Sequence, residues 1–216
     1  MNLAETADVM ITIYPVNDPP AAKNDAFTTL EDTPLKLTTQ NLIGNDEDVD
    51  GDPLSITGVS SSNIGTVIKN QDGTFTYTPA LNYFGSDSFT YTISDGVSTS
   101  QATVTIGINS VNDAPTANDD FYETGYGKKL VIKAPDVLSN DTDIENDFLS
   151  AVLVTSPLNG ILLFNVDGSF AYVPDPDFLG VDTFIYSARD AQFNSIMATI
   201  HIDVKKYLSY LPVIHN

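Results

Sequence analysis

The residues of this chain best suited to chemistry are its acids, and they come in a pattern. The stretch GNDEDVDGDPL, residues 44–54, holds Asp46, Glu47, Asp48, Asp50 and Asp52 within seven positions. Like charges about 4 Å apart repel by roughly 1 kcal/mol in water and several times that beside protein. Such a segment is either a solvated loop that tolerates the repulsion or a cradle for something positive.

The whole chain leans the same way. Its 216 residues carry 29 acids against nine bases, a formal net charge of −20. That field repels nucleic acid and anionic membranes, whose binding is driven by Lys and Arg clusters, and it attracts cations. Cysteine is absent, which rules out disulfides and thiolate metal sites. Apolar residues make up 42% of the chain, enough for real cores, and Tyr and Phe without Trp, beside much Thr, Val and Ile, favour β-structure. No apolar run approaches the roughly 20 residues of a membrane helix, so no membrane insertion is expected. The opening MNLAETADVMITIYPVNDPP lacks the charged-then-apolar order of an export signal. It reads as an alternating strand (Val9, Ile11, Ile13) running into a proline turn. The expectation is a chain that begins within a longer protein, with its export signal upstream.

The elements that position the acids repeat. VNDPP at Val16 returns as VNDAP at Val111, and 111 − 16 = 95. Asn45-Asp46 returns as Asn140-Asp141, DGTFTYTP from Asp72 as DGSFAYVP from Asp167, and FGSDSFTY from Phe84 as LGVDTFIY from Leu179, all at that offset. Four blocks in one register mark a true repeat. The chain divides into the end of a preceding repeat (1–15), a complete repeat (16–110), a second and terminal repeat (111–206) and a tail (207–216). In the first repeat, strand candidates begin near Ala26, Leu35, Leu54, Thr66, Thr74, Ser88 and Gln101, separated by turn signals. SFTYTIS alternates Phe89, Tyr91 and Ile93 with threonines, as a strand with one buried face does. Asp72-Gly73 and Asp167-Gly168 read as hairpin turns. Seven short strands in fewer than 100 residues predict an all-β fold: two tandem Ig-like β-sandwich domains.

Calcium takes about six to eight oxygens, from carboxylates and backbone carbonyls. Asp46, Asp48 and Asp50 alternate before Gly51 like the first half of an EF-hand loop. The twelfth position is Thr57 in place of a bidentate Glu and no helical pattern flanks the loop, which excludes that motif. A second likeness fits better. An early acid in LED, the NDxDxxxD loop, a late SDG and a closing VNDAP follow the order of calcium motifs in cadherins. The chain most resembles bacterial cadherin-like repeats of large secreted or surface adhesins, from its start to about residue 204. In that family calcium sits between successive sandwiches. The resemblance implies a junction built from Glu31 and Asp87 of the first repeat, Asn112 and Asp113 of the linker, and Asp141, Asp143 and Asp190 of the second repeat. It implies a further set at the N-terminal end: Asn17, Asp18, Asp46, Asp48 and Asp95. The second repeat departs from the pattern. Tyr126 stands where Glu31 would recur, no NDxP follows the last strand, and Asp182, which keeps the acid of Asp87, reads as a leftover or surface charge.

Plainer readings stand beside these. The acidic loops can be solvated, and Asp50, Asp52, Glu145 and Asp147 are as well explained by solvent as by an ion. Asp95 precedes Gly96 and can simply end a strand, and Asn-Asp before proline forms turns unaided. His201 in ATIHIDV is expected to face solvent. His215 lies in the tail, whose Tyr207, Tyr210 and Leu211 can add an edge strand or dock on the last sandwich. Neither repeat holds a polar cluster that the other lacks, so an enzyme is not expected. The function implied is a calcium-binding extracellular structural or adhesion module, secreted or at the cell surface. Its partners are the neighbouring repeats of the same protein and a cell-surface protein or glycan. The chain itself is expected to be a monomer. The alternative is a carbohydrate- or protein-binding Ig-like module with calcium incidental.

Overall fold

The computed structural model of the chain describes residues 8–206. Its contacts fall into two compact units, Met1–Val111 and Asn112–Asn216, taken below as the first and second domains. The first contains β1 (Asp25–Leu30), β2 (Leu35–Leu37), a short helix α1 (Thr39–Ile43), β3 (Ser55–Val59), β4 (Thr66–Lys69), β5 (Phe75–Thr78), β6 (Gly85–Ser94) and β7 (Thr99–Asn109). The second contains β8 (Asp120–Gly125), β9 (Leu130–Ile132), a 3-10 turn at Asp136–Leu138, β10 (Ser150–Thr155), β11 (Gly160–Phe164), β12 (Phe170–Pro174), β13 (Gly180–Arg189) and β14 (Ala198–Lys205). Each domain pairs a four-stranded sheet (β1-β7-β6-β3; β8-β14-β13-β10) with a three-stranded one (β2-β5-β4; β9-β12-β11). The first strand of each domain runs parallel to the last, and every other pairing is antiparallel.

The period-two pattern explains the cores. In β6, Asp87, Phe89, Tyr91 and Ile93 point inward, and in β7 Ala102, Val104, Ile106 and Ile108 do. Leu37, Phe75 and Tyr77 meet them from the opposite sheet, and Leu42 from α1. The second core repeats this with Phe170, Tyr172, Phe184, Tyr186, Ile200 and Ile202. Each such side chain contributes about 1.5–3 kcal/mol by leaving water. The β6–β7 ladder is the backbone of the first domain, in register from Gly85↔Ile108 to Ser94↔Thr99.

Two features differ from the sequence expectation. Helix α1 carries no periodic signal because five residues make little more than one turn. Its trace in the sequence is a cap: Thr38 accepts from the Asn41 backbone while the Asn41 side chain accepts from Thr38. The helix exists to bury Leu42, and the 3-10 turn does the same for Val137, 95 positions on. The alternating run at Val9, Ile11 and Ile13 is not a strand. These residues are exposed and pair with nothing among the described residues, and alternation without a partner ladder makes no β-structure. The tail assignments at Tyr207, Tyr210, Leu211 and His215 lie outside the described residues.

Candidate metal centre

Each acidic loop is rooted by a buried tyrosine. Tyr186 of β13 donates to Val137 O at 2.7 Å and lies 3.0–3.1 Å from both Asp141 oxygens and 3.4 Å from Asp120. A phenol has one proton, so acceptors outnumber donors here. Burial, and then the neighbouring Asp141 charge, pushes Asp120 up to about 7. Asp141 is raised by burial, against the hydrogen bonds from Asn118 N and Tyr186. Tyr91 roots the first loop likewise, reaching Leu42 O at 2.8 Å and Asp46 at 3.0–3.1 Å, and burial raises Asp25 beside it. Asp46 and Asp141 are thus turned toward the domain interior and tie the loop down. Asp25 and Asp120 escaped sequence reading, although they too are acids 95 residues apart.

Beyond these roots the loop carboxylates gather at the linker. In the second domain Asp113 N donates to Glu145 Oε2 at 3.0 Å, and carboxylate oxygens of Asp113 and Glu145 lie within 4.8 Å of each other. Asp143 Oδ1 accepts from Asp147 N at 3.0 Å. Asp113 Oδ2, Asp143 Oδ2 and Glu145 Oε1 are buried with no hydrogen-bond partner among the described residues. Asn112 donates its amide to Asp190 at 2.8 Å, and Asp190 also caps Gln192 N and Phe193 N. Those bonds, the Phe193 N–H foremost, hold Asp190 below the usual carboxylate range. Asn112 and Asp190 therefore position the linker.

The first domain repeats the pattern at its own N-terminal end. Asp18 N donates to Asp50 at 2.8 Å, Asn17 donates to Asp95 at 3.0 Å, and Asp95 accepts from Val97 N and Ser98 N. Asp48 Oδ1 accepts from Asp50 N and Asp52 N, and its Oδ2 is buried and unpartnered. Asp50 and Glu145, which the sequence left open, thus occupy one position in the repeat and grip the linker backbone. Their signal was the 95-residue spacing of an acid with an acid. At the other end of the first domain Glu31 is 2% exposed. Its Oε1 accepts from Val111 N at 2.7 Å and its Oε2 has no partner among the described residues.

Asp87 and Asp182 require correction. Asp87, which the resemblance put at the junction with Glu31, has both oxygens occupied within its own domain. Asp87 Oδ1 accepts from Asn63 N and Ser88 N, and Oδ2 from Ile64 N, Gly65 N and Tyr77 OH. Five hydrogen bonds use up a carboxylate's lone pairs, so Asp87 is a loop anchor. Asp182 is no surface charge: it is 3% exposed and accepts from Leu158 N, Asn159 N, Thr183 N and Tyr172 OH. The alternation in SDSFTY and VDTFIY already placed both acids on the inward face.

The remaining polar residues have local roles. Asp72 and Asp167 cap their turns through Thr74 N and Ser169 N. Tyr126, at the position of Glu31, hydrogen-bonds Asp177. His201 lies on the outer sheet face, half-buried, with its ring stacked on Phe121 at 4.7 Å.

Two four-plus-three β-sandwiches, each with an acid-bearing loop held against an Asn-Asp linker, define a tandem of Ig-like modules. Residues 16–109 match the cadherin-like domain family and residues 112–206 the bacterial cadherin-like domain family. The chain belongs to the cadherin-like family and consists of two such domains in tandem, of the extracellular adhesion type. Integrin beta-like protein E of Dictyostelium discoideum is 30% identical over 138 residues, 56% of this chain and 7% of that protein, so the chain spans a small part of its length. Among solved structures, human mucin-like protocadherin EC1-2 is 17% identical with a TM-score of 0.51, over 87% of this chain and 98% of that one. Drosophila N-cadherin EC1-4 is 11% identical with a TM-score of 0.52, over 88% and 50%. At these identities the likeness is one of fold.

Proposed function

We propose that this chain is a calcium-binding structural module of a larger secreted or surface adhesion protein, in which calcium stiffens the joint between the two domains. The observation that carries the reading is the set of buried, unpartnered carboxylate oxygens that the second domain holds at its linker: Asp113 Oδ2, Asp143 Oδ2 and Glu145 Oε1. A buried carboxylate oxygen without a donor costs free energy, and a hard cation that takes oxygen ligands relieves it. The donor set, all oxygen and anionic, suits calcium. Chain connectivity also fits: Glu31 holds Val111 N, and Asp113 follows two residues later. Asp113, Asp143 and Glu145 would hold the ion, with Asn112, Asp141 and Asp190 fixing the backbone around them, and the family resemblance adds Glu31 of the first domain. Asp18, Asp48 and Asp50 form the corresponding half-set at the N-terminal end of the first domain. Bound calcium would supply positive charge that neutralises acids of both domains and links them across a short hinge. Without it the same acids repel. The neighbours engaged in this way are other repeats of the same protein, and the role is mechanical and non-enzymatic.

Small-angle X-ray scattering with and without chelator tests the reading. In about 2 mM calcium, where sites of extracellular modules are filled, the chain should give a narrower distribution of interdomain distances than in chelator. Identical profiles in both would contradict it.

A further inference from the structure

The outer face of the second domain's three-stranded sheet differs from its counterpart in a way the calcium reading does not explain. In the first domain Lys36 on β2, Thr66 and Ile68 on β4, and Thr76 and Thr78 on β5 point outward. Thr66 pairs with Thr78, Ile68 with Thr76, and Lys36 with Thr76. Ninety-five residues on, the same register holds Val131, Ile161, Leu163, Ala171 and Val173. Ile161 pairs with Val173, Leu163 with Ala171, and Ala171 with Val131. Every polar residue of the first face has become apolar. The side chains are open: Ile161 is 73% exposed, Leu163 64%, Val131 59% and Val173 40%. The edges have changed too. Lys36 and Lys69 stand on the two edge strands of the first sheet, and lysine on an edge strand blocks pairing with another chain. Val131 and Phe164 take their places, and β11 (GILLF) carries no charge.

We propose that this face is a self-association surface on which a second copy of the chain docks the same face. A twofold axis sets the same patch of both copies against each other. The side chains of Val131, Ile161, Leu163 and Val173 then leave water together. Charge permits it at this place. The chain carries −20 overall, yet residues 160–166 hold no ionisable group, and the hollow beside Leu163 is lined by both Lys133 and Asp167. The exposed side chains offer on the order of several hundred Å² of apolar surface, near the upper end of what monomers leave open. That is less than the roughly 800 Å² per partner of a standard stable interface, so the dimer is weak and concentration-dependent. This departs from the monomer expected from the sequence, and it is independent of calcium because none of the candidate ligands lies on this sheet.

Sedimentation equilibrium between about 10 µM and 1 mM, a span covering some 3 kcal/mol of association free energy, tests the proposal in calcium and in chelator. The wild-type chain should pass from monomer toward dimer with rising concentration under both conditions. Val131→Lys with Ile161→Thr, which restores the first domain's residues at exposed positions, should weaken association at least tenfold and leave the melting temperature unchanged. A wild-type chain that is monomeric throughout overturns the proposal. So does a double variant that dimerises like wild type, or a dimer that forms only with calcium.

Discussion

Asp87→Ala is expected to cost the first domain about 3–5 kcal/mol, the scale of breaking a buried, hydrogen-bonded charged group. The substitution strands Tyr77 OH inside the core and removes the acceptor of the Asn63, Ile64, Gly65 and Ser88 N–H groups. A domain of this size has only about 5–15 kcal/mol in total, so the loss should be plain in a urea titration followed by circular dichroism. Asp182→Ala should do the same to the second domain through Tyr172. pH dependence follows from the same contacts. Burial pushes the Asp87 carboxyl up, but the hydrogen bonds from Gly65, Ser88 and Tyr77 together outweigh it and hold the group below its ordinary value. A group depressed in the folded state contributes stability above its unfolded value of roughly 3.9 and loses that contribution as pH falls through the folded value. The first domain should therefore weaken below about pH 4, and Asp87→Asn should flatten that dependence. Unchanged stability of Asp87→Ala at neutral pH would show that these hydrogen bonds do not anchor the loop.

Asp143→Asn combined with Glu145→Gln is expected to abolish most of the stabilisation that calcium would confer at the proposed site. Each substitution removes an anionic donor whose free oxygen is buried and unpartnered, and calcium affinity is set by ligand charge. If the intact site binds at about 0.1–1 mM, typical of extracellular modules, millimolar calcium adds roughly 0.4–1.4 kcal/mol per site by mass action. For a domain of about 100 residues that is a rise in melting temperature of some 2–10 °C. The double variant should show little of it. Asp72→Asn, which alters only a hairpin turn, should show all of it. Melting curves with calcium and with chelator decide between them, and equal responses from the two variants would mean that the ligands lie elsewhere.

Much of this was legible in the sequence because a repeat is its own control. Turn signals placed strands β4 and β5 within a residue of where they lie, since Asp-Gly turns and alternating aromatics fix register locally. β6 and β7 begin two or three residues earlier than the alternation suggested, because their ladder extends as far as backbone pairing allows. The family, too, was visible in the order of its acidic motifs. What the sequence hid was the direction each acid faces. Asp48, Asp50 and Asp87 are chemically alike on paper. One keeps a free oxygen, one grips the linker, and one is consumed by five hydrogen bonds. Pairing and burial make that difference, and both depend on residues far away in the chain. For Asp87 the alternation of Phe89 and Tyr91 already pointed inward, and giving that periodicity more weight than the motif order would have found its role. Helix α1 was hidden for a simpler reason: five residues are too few to show a period.

The most direct measurement is a calorimetric titration of this chain with calcium, repeated on Asp113→Asn with Asp143→Asn. The wild type should give a saturable heat with a midpoint in the submillimolar to millimolar range typical of extracellular modules, and the double variant should lose the component that belongs to the linker acids. A wild-type titration that shows no saturable heat up to about ten times that range would contradict calcium as the ion that holds Asp113, Asp143 and Glu145 together.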